Sequence, residues 1–301
     1  MKILKWIALV LGVLIVLVGV LVAVLHFVGQ QRLGNAPEVA LATVSAVTDE
    51  AGLERGRHLA SISGCTSCHG EDLRGEVFVN EAPIGYIPAP NLTSGAGGVG
   101  GSYTDATWAS AIRHGVAADG RTMVIMPSSH YAHYGDDDLA ALIGYLKSAE
   151  PVDNELGPRA IQFPGTIIFG MLAYSSWPVN TIDHASVGGS APEAAPSAEY
   201  GEYMVSIMSC QSCHAENLAG NYGQLDTPQG PNLTPGGELA DWSEEDFATA
   251  LRSGTKPDGT VLKTTDEDGM PWPQYAGLSD MEVQALWAYI NGLESVPNNT
   301  P

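Results

Sequence analysis

The sequence Cys65-Thr66-Ser67-Cys68-His69 recurs as Cys210-Gln211-Ser212-Cys213-His214, and the two copies use all four cysteines of the chain. The likeness extends on both sides. Upstream, Glu54-Arg55-Gly56 has its counterpart in Glu199-Tyr200-Gly201; downstream, Pro90-Asn91-Leu92-Thr93 returns as Pro231-Asn232-Leu233-Thr234. Ala111-Ile112-Arg113, followed by Gly115 and Asp119-Gly120, returns as Ala250-Leu251-Arg252 with Gly254 and Asp258-Gly259, and Met126-Pro127 matches Met270-Pro271. A long tandem repeat obliges the chain to fold the same way twice, and 301 residues leave room for two domains of that kind.

In Cys-x-x-Cys-His the two thiols can form thioethers with one haem while the adjoining histidine ligates its iron, the pattern of covalent haem c attachment. The chain is therefore expected to bind two haem c groups, through Cys65 and Cys68 in the first half and Cys210 and Cys213 in the second, with His69 and His214 on the irons. Four cysteines could also make a zinc site, but these pairs are far apart in sequence and each ends in histidine. A thioredoxin-like redox pair would need a βαβ setting that is absent, and disulfides alone would leave the histidines unexplained.

An iron that only carries electrons needs a sixth ligand, and a methionine thioether holds its potential high. Met126 and Met270 are the candidates, since His69 to Met126 and His214 to Met270 span nearly the same number of residues. Met123 competes in the first half but has no methionine partner in the second. His114, His130 and His133 would give bis-histidine ligation, yet none has a counterpart, while His58 and His184 have no distinguishing context. Pro90 and Pro231, just before the repeated Asn-Leu-Thr, are candidates to offer a carbonyl to the other ring nitrogen of each histidine ligand, an assignment that rests partly on the family resemblance given below.

Residues 6–25 are uncharged and mostly apolar, enough to cross ~30 Å of hydrocarbon. With Lys2 and Lys5 before it, the run is expected as an anchor in the inner membrane, amino terminus cytoplasmic and the remainder periplasmic. A cleaved signal peptide is the alternative, although its apolar region is usually shorter and ends in a small-x-small site that is poorly matched here. The expected organisation is anchor 1–28, tether 29–48, first domain 49–152, interdomain segment and linker 153–197, and second domain 198–301.

Both domains are expected to be mainly helical. Residues 49–61 read as a short helix leading into the first cysteine motif, although its apolar positions are sparse; helices over 136–149 and 279–293 follow from apolar spacing, with Leu139, Leu142, Ile143 and Leu146 as one stripe and Val283, Leu286, Trp287 and Ile290 as another. Ser279 and Glu282 fit a capping box. The apolar stretch 161–177 is expected to pack between the two domains, with a membrane-surface contact as the alternative use, and 188–197 is a Gly, Ala, Pro and Ser linker. A net charge of −21 excludes nucleic acid as a natural partner and suits either redox partners with basic docking surfaces or an exported protein kept soluble by its acidity.

With an amino-terminal helix, Cys-x-x-Cys-His, a distal Met-Pro and a carboxy-terminal helix, each half resembles a class I cytochrome c domain. Pro-Asn-Leu-Thr, Ala-x-Arg-x-Gly-x-x-x-Asp-Gly and Met-Pro-x-x-x-Tyr resemble the membrane-anchored cytochrome subunits of periplasmic alcohol and gluconate dehydrogenases. The resemblance implies an electron-transfer protein that is not itself an enzyme and that belongs to a membrane complex. Those subunits typically have three haem domains where this chain has two, and here Ser128-Ser129-His130 stands where the second half has Trp272-Pro273-Gln274. A dihaem peroxidase, in which one iron offers an open position to peroxide, is the enzyme alternative, and a structural subunit with incidental haems a further one.

Overall fold

The computed structural model describes residues 2–40, 44–82, 84–221, 229–264 and 269–299. Positions 41–43 of the expected tether, and parts of the second domain, lie outside the described residues.

Helix α1 (Lys2–Gly34) is continuous and has a mean hydropathy of 3.3 over its most apolar window. The first domain contains α2 (Glu50–Ile62), the short α3 (Cys65–His69), α4 (Asp105–His114), the short α5 (Ser128–Tyr131) and α6 (Asp136–Ser148). The intervening segment supplies two further short turns, α7 (Gly165–Ile167) and α8 (Pro178–Thr181). The second domain repeats the plan as α9 (Ala198–Ile207), α10 (Gln211–His214), α11 (Glu244–Ser253) and α12 (Asp280–Asn291).

Local chemistry sets these boundaries. Asp49 accepts from the Gly52 amide and starts α2; Ser279 and Glu282 form a reciprocal capping box at α12, and Ser243 and Asp246 do the same at α11. Helices α4 and α11 end on Gly115 and Gly254 with φ of 69° and 65°, a left-handed conformation that glycine adopts without strain.

In each domain the first and last long helices cross at a glycine. A Cβ on Gly56 would stand 2.0 Å from the Ala141 carbonyl oxygen, and one on Gly201 would stand 2.0 Å from that of Ala285. The repeated acidic-x-Gly pattern marks this crossing point, where backbone lies directly on backbone. The stripe residues Leu139, Leu142, Ile143 and Leu146 are buried, as are Val283, Leu286 and Ile290, with Trp287 partly covered. Burying apolar surface of this kind is the main favourable term in the fold.

The two domains pack on each other around a polar cluster. Arg55 on α2 makes two bonds of 2.9 Å to Asp138, reaches Glu282 of the second domain at 3.4 Å and donates to the Tyr200 hydroxyl at 3.0 Å. Glu282 also meets His58 at 2.8 Å, and Tyr203 donates to Asp138 at 2.7 Å. Burial penalises the Glu282 carboxylate, but hydrogen bonds from His58 and Ser279 outweigh this and hold its pKa down at about 2.

Three departures from expectation concern the parts outside the repeat. An antiparallel sheet joins β1 (Glu76–Glu81), β2 (Gly85–Ala89) and β3 (Ala160–Ile161), with Glu76 opposite Ala89, Tyr86 opposite Ala160, and the register shifting between Val77 and Val79. Its strands, β1 mostly exposed and β2 partly buried, are short, carry little alternation and were not expected. The stretch 161–177 does not lie between the domains; α7 and the π-helical turn Ile168–Leu172 pack on the carboxy-terminal end of α1, where Gly29 and Gly170 bring the backbones together.

The expected tether is strapped down. Ala36 donates to the Gly120 carbonyl, Ala46 to Asp105 and Val47 to the Ala140 carbonyl, and Val44 is buried in the core. The end of α1 is also tied to the first domain, where Thr122 donates to the Arg32 carbonyl at 3.0 Å, and to the segment that follows it, where Arg159 donates to the Leu33 carbonyl at 2.9 Å.

Candidate haem-binding sites

In the first domain Cys65, Cys68, His69 and Met126 line one cavity, which together with its open mouth holds about 1300 Å³ of space. Its walls are largely apolar, with Trp108, Ile112 and Leu142 among them, and Met123 also lines it. His114, His130 and His133 do not. Among the described residues no group of three or more His, Cys, Asp or Glu side chains converges as a zinc site would require.

The histidines are set by backbone. His69 Nδ1 donates to the Pro90 carbonyl at 2.8 Å, and His214 Nδ1 donates to the Pro231 carbonyl at 2.8 Å. A carbonyl can only accept, so each neutral imidazole keeps its proton on Nδ1 and leaves the Nε2 lone pair free for iron. Burial pushes both histidines below their ordinary value, favouring the neutral ligating form, while the carbonyls oppose this.

The Asn-Leu-Thr that follows each proline holds that carbonyl in place. Asn91 accepts from the Thr93 amide and hydroxyl and donates to the Val152 carbonyl at 2.7 Å; Asn232 does the same with Thr234 and the Val296 carbonyl at 2.9 Å. The buried asparagine thus pins the loop to the chain that leaves the last helix. Leu73 and Leu218 take φ of 59° and 56° at equivalent turns, and their carbonyls accept from Leu92 and Leu233.

The methionines sit at equivalent bends. Pro127 and Pro271 have φ, ψ of −80°, 54° and −77°, 51°, and Met126 and Met270 both pack against the core that also holds Cys65 and Cys210. The space beside each bend is filled differently. Trp272 covers Gly254 and donates to the Leu262 carbonyl at 3.3 Å, whereas in the first domain the smaller, buried Ser128 leaves the place beside Gly115 to Pro178 and Val179 of α8. The Ser-for-Trp difference between the halves is explained by this inserted turn.

The thiols lie in apolar surroundings. Burial pushes Cys65 and Cys210 up to about 12, so neither is a ready thiolate nucleophile. Such a setting suits thiols capped as thioethers by a bound haem. With the free Nε2 and a thioether sulfur in the same cavity, the donor set of the first domain fits haem c, and the second domain repeats its fixed histidine and its Met-Pro bend.

The cytochrome c family profile matches residues 53–150 and 198–294. The chain is a member of the cytochrome c family. It is an electron-transfer protein with two covalently bound haem c groups. This cytochrome is 30% identical over 288 residues to a diheme cytochrome c-type protein of Cereibacter sphaeroides, covering 84% of this chain and 88% of that one. It is 27% identical to the alcohol dehydrogenase (quinone) cytochrome c subunit of Gluconacetobacter polyoxogenes, over 83% of this chain and 57% of that protein. With the gluconate 2-dehydrogenase cytochrome c subunit of Pantoea cypripedii the identity is 28%, over 87% and 63%. The cytochrome spans little more than half the length of the alcohol dehydrogenase subunits it matches.

Two sets of residues escaped the sequence reading. Arg121 and Arg159 line the first cavity, where their guanidinium groups could hold propionate carboxylates. Arg159, pushed down to about 10 by burial and by Arg121, still carries its charge at neutral pH. Across the domain interface Ser67, inside the first cysteine motif, donates to Gln274 at 3.1 Å, and Ser212, inside the second, meets His130 at 2.8 Å. Each motif therefore touches the segment that follows the methionine of the other domain. The second relation was hidden because its members match only when the two halves are docked.

Proposed function

We propose that this cytochrome is an anchored two-haem relay, with Cys65 and Cys68, and Cys210 and Cys213, bonding the haems, and His69 with Met126, and His214 with Met270, as axial ligands. The observation that carries this reading is the duplicated histidine-to-carbonyl bond beside a duplicated Met-Pro bend. Bound haem iron would supply the one-electron redox centre; the protein supplies ligands, burial and orientation. Two filled axial positions favour outer-sphere electron transfer over peroxide chemistry.

The reciprocal contacts Ser67 with Gln274 and Ser212 with His130 support a fixed internal path between the two sites. The Arg55 cluster clamps the same interface. Lys2 and Lys5 support a cytoplasmic amino terminus in the inner membrane with both domains periplasmic. Cleavage after α1 would remove the buried Leu33 and the carbonyls that Arg159 and Thr122 hold, which supports an uncleaved anchor. The named relatives support a dehydrogenase or respiratory partner delivering electrons on the periplasmic side, in a membrane complex. The net charge of −21 favours a basic docking face on that partner.

The test is a redox titration of the purified protein with carbon monoxide added to the reduced form. Two one-electron waves with no rapid carbon monoxide binding are expected. Substituting Met126 or Met270 by alanine should expose one iron at a time to carbon monoxide. Rapid binding by the unaltered protein, with peroxide turnover, would refute the relay.

A further inference from the structure

The uncharged run 6–25 already accounts for the hydrocarbon thickness, so the helix from His26 to Gly34 rises through the headgroup layer, which adds about 5–7 Å on each side. The segment after β3 climbs beside it in register. Phe163 lies edge-on to His26 with ring centres 6.2 Å apart, Thr166 bonds His26 Nδ1 at 2.6 Å, and Gly170 packs on Gly29. Higher up, Arg32 reaches the Met171 sulfur at 3.6 Å and stacks over Tyr174 at 4.9 Å. The succession His26, Gly29, Arg32 thus sets the height of each residue of the segment above the hydrocarbon.

Outside α1, the exposed large hydrophobic residues described are Val77, Phe78, Phe163, Ile168, Leu172 and Val261, and half of them fall on this one stretch. In a soluble surface that clustering is unfavourable and marks a site that meets something apolar. Residues 160–182 also contain no Asp or Glu, in a chain with 34 of them. Anionic lipids repel a strongly acidic protein least where it carries no carboxylates, and Arg32 with Tyr174 and Trp177 is the chemistry favoured at a headgroup boundary.

We propose that residues 163–172 form a foot that rests on the lipid surface beside α1, Phe163 seated deepest, then Ile168, then Leu172. The proposal relies on α1 being retained as a membrane anchor. The occupant is the bilayer, because the patch is continuous with a helix whose own apolar residues are exposed from Ile3 to Phe27. The foot would hold the first domain at one tilt to the membrane plane.

Site-directed spin labelling of the full-length haem-loaded protein in phosphatidylcholine vesicles tests this. The native cysteines are consumed by haem, so an added cysteine is the reactive thiol. Nitroxides are placed by Phe163→Cys, Ile168→Cys and Leu172→Cys, with Val16→Cys in α1 and Val261→Cys on the second domain as references. An unaltered haem spectrum certifies each variant. The ratio of oxygen to nickel-chelate accessibility should fall in the order 16, 163, 168, 172, 261, with position 163 several-fold above 261. Lipid-like values at 16 with water-like values at 163 and 168 overturn the foot and leave the anchor standing. Water-like values at 16 overturn the anchor. Shielding of 163 and 168 from both probes assigns the patch to a second copy or a protein partner, and also overturns the foot.

Discussion

Replacing Gly201 by alanine tests the helix crossing that organises the second domain. The added methyl would stand 2.0 Å from the Ala285 carbonyl oxygen and 2.7 Å from its carbon, against ordinary contacts of 3.4 Å or more. Both atoms are backbone, so no rotamer can move aside and α9 must withdraw from α12 by more than an ångström. Overpacking of this kind costs about 1–3 kcal/mol, and a rigid obstacle argues for the upper end. Alanine recovers about 1 kcal/mol of helix propensity, which leaves a net loss of about 2 kcal/mol. For a domain of roughly 100 residues that lowers the melting temperature by about 8–16 °C. The assay is thermal unfolding of the oxidised protein followed through the absorption of the bound haem, with Gly277→Ala, whose methyl meets nothing within 4 Å, as the control. If Gly201→Ala melts together with that control, the helices do not meet as described.

Gly56→Ala should produce the same loss in the first domain, read as an earlier transition in the melting profile. Asn232→Ala unpins the loop that presents the Pro231 carbonyl and leaves buried polar groups without partners; a loss of about 1–3 kcal/mol is expected in the second domain, measured by denaturant unfolding. Glu282 ionises in the folded state at about 2 instead of its ordinary 4.5, so its contribution to stability is complete above pH 4.5 and fades as pH falls towards 2. Melting temperature should decline through that window, and Glu282→Gln should flatten the decline. Arg159→Met removes a positive charge from the wall of the first cavity and should lower the midpoint potential of that haem alone, by on the order of tens of millivolts, in a redox titration.

Much of the paired architecture was legible because it is written twice. Duplication is what favours Met126 over Met123 as the proposed ligand, since both line the cavity, and together with the family resemblance it pointed to Pro90 and Pro231, whose carbonyls each accept from a motif histidine. Even the repeated Gly56 and Gly201 were visible as a pattern, while the reason, a carbonyl two ångströms from an absent Cβ, needed the packed helices. Features that occur once were harder to read. Arg159 contacts residues from α1 and the loop before Met126, and Gln274 meets Ser67 across the interface, so no local periodicity announces them. The stretch 161–177 was recognised as apolar, but apolar residues look alike whether they cover a neighbouring domain or a helix leaving the membrane.

The contacts that tie Ala36 and residues 44–47 to the first domain have a mechanical consequence. A cytochrome on a slack leash sweeps a hemisphere and can hand electrons on at many elevations. One bolted to its anchor through Leu33, Gly120 and Ala140 works as a post. With α1 retained in a bilayer, as proposed above, its search for partners would be confined to sliding in two dimensions, and a protein exchanging electrons with it would have to present its own redox centre at a single fixed height above the lipid.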